Sequence, residues 1–163
     1  MARGEAGGTV RLSVLDRLRH SSGEGWASAS WNDSVAALEQ SLFRDLEWLL
    51  NTRRTSEPAT EDFPEVRRSV YHYGLPDLSS LSADSTEIRR RLRREVEELL
   101  ETFEPRLTGV RVSLAEGEDE RVQQIPLHVE ALLRLDPEPQ RISFDTVLEL
   151  ASGKIGVSGR QHA

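Results

Sequence analysis

The stretch Asp84–Leu114, DSTEIRRRLRREVEELLETFEPRLTGVRVSL, contains a helix pattern, its end and the start of a strand. Apolar residues recur at three- and four-residue steps as far as Phe103, and Asp84 with Glu87 forms a capping-box pattern at the start. Because proline disfavours the helical conformation in the residue before it, Pro105 predicts that the helix ends near Phe103. Beyond Pro105 apolar and polar residues alternate, which is typical of a strand.

Two further alternating runs follow this first strand, at Leu127–Leu135 and Ile142–Leu150. Polar turns separate the three runs, and Gly153–Gly156 is interpreted as a turn after the last of them. Three consecutive strands with short polar connections predict an antiparallel meander. The expected fold class is therefore α+β, with two main helices packed on a three-stranded, mostly antiparallel sheet in two layers.

The first of the two helices is predicted from Asn32 to about Leu50, with Asn32 or Asp33 as its cap. Before it, Leu12–Leu18 is a short amphipathic piece on a Gly/Ser-rich tether, and it docks either on its own domain or on a partner. The ends of the chain hold few apolar residues. We therefore expect a flexible N-terminal segment over residues 1–31, a single domain over 32–157 and a tail over 158–163.

Composition excludes several classes of protein. The formal net charge is −7, which argues against a nucleic-acid binder because phosphate neutralisation needs an excess of cations. No stretch reaches the roughly 20 apolar residues of a membrane span, and the N-terminus lacks the apolar run of a secretory signal. The absence of cysteine fits a reducing compartment. We expect a cytoplasmic protein without direct membrane insertion.

The polar face of the second helix carries arginines over residues 89–94 and glutamates over 95–101. This order opposes the helix macrodipole, which favours anions at the N-terminus and cations at the C-terminus. A solvated helix face is favoured over an interface, although both readings stay open. Three ion pairs one turn apart are expected along it, namely Arg91–Glu95, Arg93–Glu97 and Arg94–Glu98.

No constellation of catalytic residues stands out. The four histidines lie far apart in the chain without metal-ligand spacing, and there is no glycine-rich phosphate loop or G-x-S-x-G elbow. We therefore predict no catalytic, cofactor-binding or metal-binding residues. A glycosidase pair of acids stays open on numbers alone, but the obvious cluster, Glu116–Glu120, lies in a polar turn where burial of an acid is not expected.

Glu104, Pro105 and Arg106 are the candidate interaction residues. On extended backbone, Glu104 and Arg106 would point to the same side, where they pair with each other or clamp polar groups of a partner. The residues by themselves favour a plain helix stop with a surface salt bridge, and such bridges contribute little to stability.

Four stretches carry a family resemblance in order and in spacing: Leu15–Leu18, Asp45–Arg53 (DLEWLLNTR), Ser69–Leu78 (SVYHYGLPDL) and Phe103–Leu107 (FEPRL). Together they resemble the TssE class of type VI secretion baseplate subunits. That class is related to the lysozyme-like wedge protein of contractile phage tails. The resemblance covers nearly the whole chain, from roughly residue 12 to residue 157.

The resemblance implies a structural role in the cytoplasm beside two other wedge subunits, the TssF and TssG classes. It also implies that Glu104, Pro105 and Arg106 help to join the baseplate to the first layer of the contractile sheath. An open edge of the predicted sheet would suit this role, because a sheath strand could be added to it. A lysozyme-like peptidoglycan glycosidase is the alternative function.

Overall fold

The computed structural model describes residue 10 and residues 31–57, 62–77, 86–114, 124–149 and 154–159. The helices are α1 (Trp31–Asn51) and α2 (Thr86–Phe103), with two 3-10 turns, Pro64–Arg68 and Val70–His72, between them. The strands are β1 (Leu107–Leu114), β2 (Gln124–Leu133), β3 (Gln140–Glu149) and β4 (Ile155–Gly159). No helix in these ranges is both long and apolar enough to cross a membrane.

The four strands form one antiparallel sheet in the order β1-β2-β3-β4. This confirms the α+β class and the antiparallel meander, but the predicted number of three strands is wrong. The chain reverses at a hydrogen bond from the Glu149 N–H to the Lys154 carbonyl (2.9 Å), and β4 begins at the next residue. Gly156 was expected in a turn and lies in that strand. Only two apolar residues of β4, Ile155 and Val157, face the core, which is too short a pattern to predict a strand.

The core lies between the helix layer and one face of the sheet. α1 contacts β4 and α2 contacts β1, so each helix covers one side of the sheet. The sheet contributes alternate residues of its strands, and the Phe144 ring meets the Phe43 ring of α1 edge-on at 5.8 Å. The largest fully buried side chains include Phe144, Leu42, Leu46, Leu50, Leu92, Leu100, Leu127 and Leu133.

Both helices match their predicted ranges within one or two residues. α1 begins at Trp31, so Asn32 and Asp33 lie in its first turn and not at the cap. A carboxylate in the first turn still interacts favourably with the helix dipole. Among the N-terminal residues, Val10 is described and packs against the core. The predicted amphipathic piece, its tether, Asp84 and the acidic turn lie outside the described residues, and the proposed domain boundaries stay a prediction.

The charged face of α2 forms a different set of contacts from the one expected. Arg91 approaches Glu95 at 3.9 Å as predicted, but the closest partner of Glu95 is Arg54 at 2.9 Å. Arg94 approaches Glu87 at 3.8 Å, towards the helix N-terminus, in place of Glu98. For Glu95 and Glu97 the reason is tertiary: Glu95 pairs with Arg54, and Glu97 accepts a hydrogen bond from the Val112 N–H of β1. A helix pattern alone does not include such partners.

A tight backbone crossing holds the segment after α1. The Leu75 N–H donates to the Thr52 carbonyl and the Arg54 N–H donates to the Leu75 carbonyl, both at 2.9 Å. Gly74 lies at the crossing with φ +101°, and a Cβ there would be 2.2 Å from the Thr52 oxygen. This position therefore needs glycine both for its backbone conformation and for the close approach.

Replacing Gly74 tests this crossing. We expect Gly74→Ala to lower the free energy of unfolding in urea by about 3 kcal/mol, because it adds a backbone clash to a strained dihedral. Gly109→Ala is the matched control: its φ is +61°, but nothing lies within 4 Å of the added Cβ. The control should cost about 1 kcal/mol from strain alone. Equal losses in the two variants would contradict the close approach.

Candidate functional site

The Glu104–Arg106 segment is a turn between α2 and β1. The Glu104 N–H donates to the Leu100 carbonyl, and the Leu107 N–H donates back to the Glu104 carbonyl, both at 3.0 Å. Pro105 and Arg106 are the central residues of this turn. The predicted helix end at Phe103 is confirmed, but the predicted extended backbone is wrong. Proline suits the second position of a β-turn, and the Leu107 hydrogen bond closes that turn.

Glu104 and Arg106 form a bidentate ion pair. The Arg106 Nε donates to Glu104 Oε1 at 2.6 Å, and Nη2 donates to Oε2 at 2.5 Å. The backbone N–H of Arg106 also donates to Oε1, at 3.2 Å. Glu104 is only 5% exposed, whereas the Arg106 side chain is 22% exposed, so the expected surface salt bridge instead joins a buried carboxylate to a partly exposed guanidinium. A carboxylate buried in this way is strongly destabilising unless its partner is present.

The same guanidinium reaches across to helix α1. Its Nη2 donates to Asp45 Oδ2 at 2.8 Å, and its Nη1 lies 3.4 Å from Ser41 Oγ. Ser41 and Asp45 were not predicted as site residues. Their spacing of four residues puts them on one face of α1, and that is the signal in the sequence that could have found them. Arg106 therefore links the α2–β1 turn to the middle of α1.

A second arginine completes the charge pattern. Arg44 Nη2 lies 3.3 Å from Asp45 Oδ1 and 3.2 Å from Ser41 Oγ. Its guanidinium also lies over the Trp48 ring, 5.6 Å from the ring centre. Two arginines thus face two carboxylates, Asp45 and Glu104, and the formal charges of the cluster cancel.

These charges act on the ionisation of their neighbours. Burial alone would lower the pKa of Arg106, but its hydrogen bonds and its proximity to Glu104 and Asp45 raise it overall. Burial also raises the pKa of the Tyr73 phenol, and the charges of Asp45 and Glu104 raise it further. The Tyr73 ring meets the Phe103 ring edge-on at 5.4 Å, which places Tyr73 beside the turn.

The three longer sequence motifs therefore meet at one place. Asp45, Tyr73 and Arg106 come from the first, second and third motif, and they line one shallow depression of about 390 Å³. Pro105 lies exposed on its rim. We call this depression the turn site; its lining residues are Asp45, Leu49, Tyr73, Phe103, Glu104, Pro105 and Arg106.

The turn site combines paired charges with apolar and aromatic side chains. Its charged groups already satisfy one another, and its remaining lining is apolar or aromatic. Within the described ranges Glu104 is the one buried carboxylate, and both of its oxygens are held by Arg106. No group of three or more potential metal ligands occurs in the same part of the chain. These features define a small α+β protein whose charged side chains at the α2–β1 turn are bonded to one another.

Comparison with known proteins places the chain in a family. The family model described as "Baseplate wedge protein gp25" matches residues 36–138, a range that includes all three motifs at the turn site. The chain belongs to this baseplate wedge family, and the resemblance noted in the sequence is confirmed. This membership indicates a structural role in a baseplate.

The chain is also similar to part of a solved structure. A chain of the solved structure "The baseplate complex from the type VI secretion system" is similar, with 20% identity and a TM-score of 0.46. The match covers 69% of this chain and 94% of that one. The search of curated proteins gave no significant match.

A double-mutant cycle measures the coupling within the turn site. We expect a coupling free energy of about 2 kcal/mol between Glu104 and Arg106, from the single and double alanine variants in chemical denaturation. The cycle between Asp45 and Arg106 is the matched comparison. It should give a smaller value, because the Asp45 side chain is 27% exposed and that of Glu104 only 6%. Coupling near zero in the first cycle would show that the Glu104–Arg106 ion pair does not stabilise the turn.

Proposed function

We propose that this chain is the baseplate wedge subunit of a type VI secretion system that links the wedge to the first layer of the contractile sheath. Its partners in this proposal are the other wedge subunits, of the TssF and TssG classes, and the sheath proteins, all in the cytoplasm. Membership of the baseplate wedge family and the TssE-like motifs support the proposal.

The observation that carries the proposal is the meeting of the three motifs at the turn site. The Arg106 guanidinium donates hydrogen bonds to three residues of its own chain, Glu104, Asp45 and Ser41. The ion pair therefore fixes the shape of the turn, and the surface offered to a partner is exposed Pro105 with the rim of the depression. A preformed rigid surface of this kind loses little conformational entropy when a partner binds.

An open sheet edge is the second part of the proposed link. β4 is the last strand of the sheet and pairs with β3 on one side only. An extended segment of a sheath protein could add to its outer side through main-chain hydrogen bonds. Such an addition would satisfy backbone groups that otherwise invite aggregation.

The glycosidase alternative gains no support from the described residues. A glycosidase needs one acid in an apolar pocket that keeps it protonated, and a second acid across the scissile bond. Glu104 is buried, but both of its oxygens accept hydrogen bonds from Arg106. Its carboxyl group is therefore already bonded within the chain, and the pocket beside it also carries the charge of Asp45.

Two variants test the role of the turn site in sheath assembly. Glu104→Arg combined with Arg106→Glu reverses both charges, and Pro105→Glu places a new charge on the exposed rim. We expect both variants to abolish sheath polymerisation on the baseplate, scored by electron microscopy of cells or lysates. The Pro105→Glu chain should keep the wild-type circular dichroism spectrum and melt only slightly earlier, because Pro105 is exposed and its loss relaxes only the turn.

The matched control is Pro64→Glu. Pro64 is also an exposed proline, at the start of a 3-10 turn, but it does not line the turn site. Sheaths should form normally in this variant. Normal sheath assembly in both turn-site variants would refute the proposed docking role.

A further inference from the structure

β1 and β4 are the two edge strands of the sheet. Their outward backbone groups bond to different kinds of side chain. An edge strand carries a row of N–H and C=O groups that can pair with another chain, so natural proteins often cover or block such edges. Each edge here receives a side chain from the neighbouring helix. The chemistry of those two side chains differs, and the difference decides which edge can accept a strand.

The β1 edge is covered by a carboxylate. The Val112 N–H points away from β2 and donates to Glu97 Oε1 of α2 at 2.9 Å. The helix that carries Glu97 packs along this strand. The pairing of β1 with β2 is also irregular between Thr108 and Arg111, where Gly109 has φ +61°. A bulge of this kind bends an edge away from regular pairing.

Among the described residues, the side-chain contacts at the β4 edge lie at the beginning of the strand. Asn51 Nδ2 donates to the Ile155 carbonyl at 2.7 Å, and the Ile155 N–H donates to Asn51 Oδ1 at 2.9 Å. The Asn51 amide therefore pairs with Ile155 as the backbone of another strand would. Because backbone groups alternate in direction along a strand, the next outward pair belongs to Val157. No other described strand lies on that side.

We propose that Glu97 blocks strand addition at the β1 edge. The sheet then accepts an extended segment only along β4, from Val157 onwards. An ionised carboxylate only accepts hydrogen bonds, so at Val112 it takes the donor that an incoming strand would need. It would also oppose the carbonyl oxygen that such a strand brings to this position. The identity of the added segment as a sheath strand rests on the proposed function, whereas the difference between the two edges does not.

The number of open edges sets how copies of this chain can associate. With β4 alone open, two copies can pair edge to edge, and such a closed dimer leaves no further site. If β1 also opened, the β1 edge of one copy could pair with the β4 edge of the next, and this head-to-tail contact can repeat. Removal of the Glu97 carboxylate should therefore change the size of the assemblies in a purified sample.

The experiment is sedimentation velocity of the purified full chain over a range of concentrations. The wild type and the control Glu98→Ala should form nothing larger than a dimer; Glu98 is the exposed neighbour of Glu97 on α2. Glu97→Ala should form concentration-dependent assemblies larger than a dimer. Adding Val157→Pro, which removes the outward N–H of β4, should return them to a dimer or less. An unchanged distribution for Glu97→Ala, or large assemblies that survive Val157→Pro, would overturn the proposal.

Amide hydrogen exchange of the wild type tests whether Glu97 protects the Val112 N–H. This test does not depend on whether the Glu97→Ala chain folds. At a concentration where the wild type is monomeric, the Val112 amide should exchange about tenfold or more slowly than the Val157 amide, although both lie on edge strands. Glu97→Gln keeps a side-chain oxygen and should keep most of this protection. If the Val112 amide exchanges as fast as the Val157 amide in the wild type, Glu97 does not block the β1 edge. Neither experiment contains sheath protein, so its failure is separate from failure of the sheath link.

Discussion

The buried carboxylate of Glu104 is the constraint on which the rest of the site depends. It is 5% exposed and follows directly on α2, so leaving it without a cation would be strongly destabilising. Arg106 supplies that cation from two residues further on, and its remaining donors bond Asp45 of α1. One guanidinium thereby fixes the end of α2, the start of β1 and the middle of α1. The depression beside Pro105 is the surface that this arrangement leaves open.

The sequence predicted the elements whose signals are local and missed the features that depend on tertiary contacts. The stripe of α2 and Pro105 gave the helix and its end, because both act within one or two turns of the chain. β4 was missed because only Ile155 and Val157 face the core. Ser41 and Asp45 lie 65 and 61 residues from Arg106, so no local pattern pairs them with it.

The two inferred contact surfaces would bind a partner through different interactions. At the turn site the charges are satisfied internally, so a partner meets a fixed shape with little cost in ordering. At the β4 edge the partner would supply main-chain hydrogen bonds, and Asn51 and Glu97 limit where it can do so. Both surfaces suit a subunit that holds other chains in place, in agreement with its membership of the baseplate wedge family.

A cryo-electron microscopy structure of the chain with its wedge partners and the first sheath layer tests the account most directly. We predict an added sheath strand beside β4, with Arg106 still bonded to Glu104 and Asp45 and the Val112 N–H still bonded to Glu97. A partner should contact Pro105 at the rim of the turn site. A strand added beside β1, or an Arg106 side chain that has left Glu104 to bind the partner, would contradict the account.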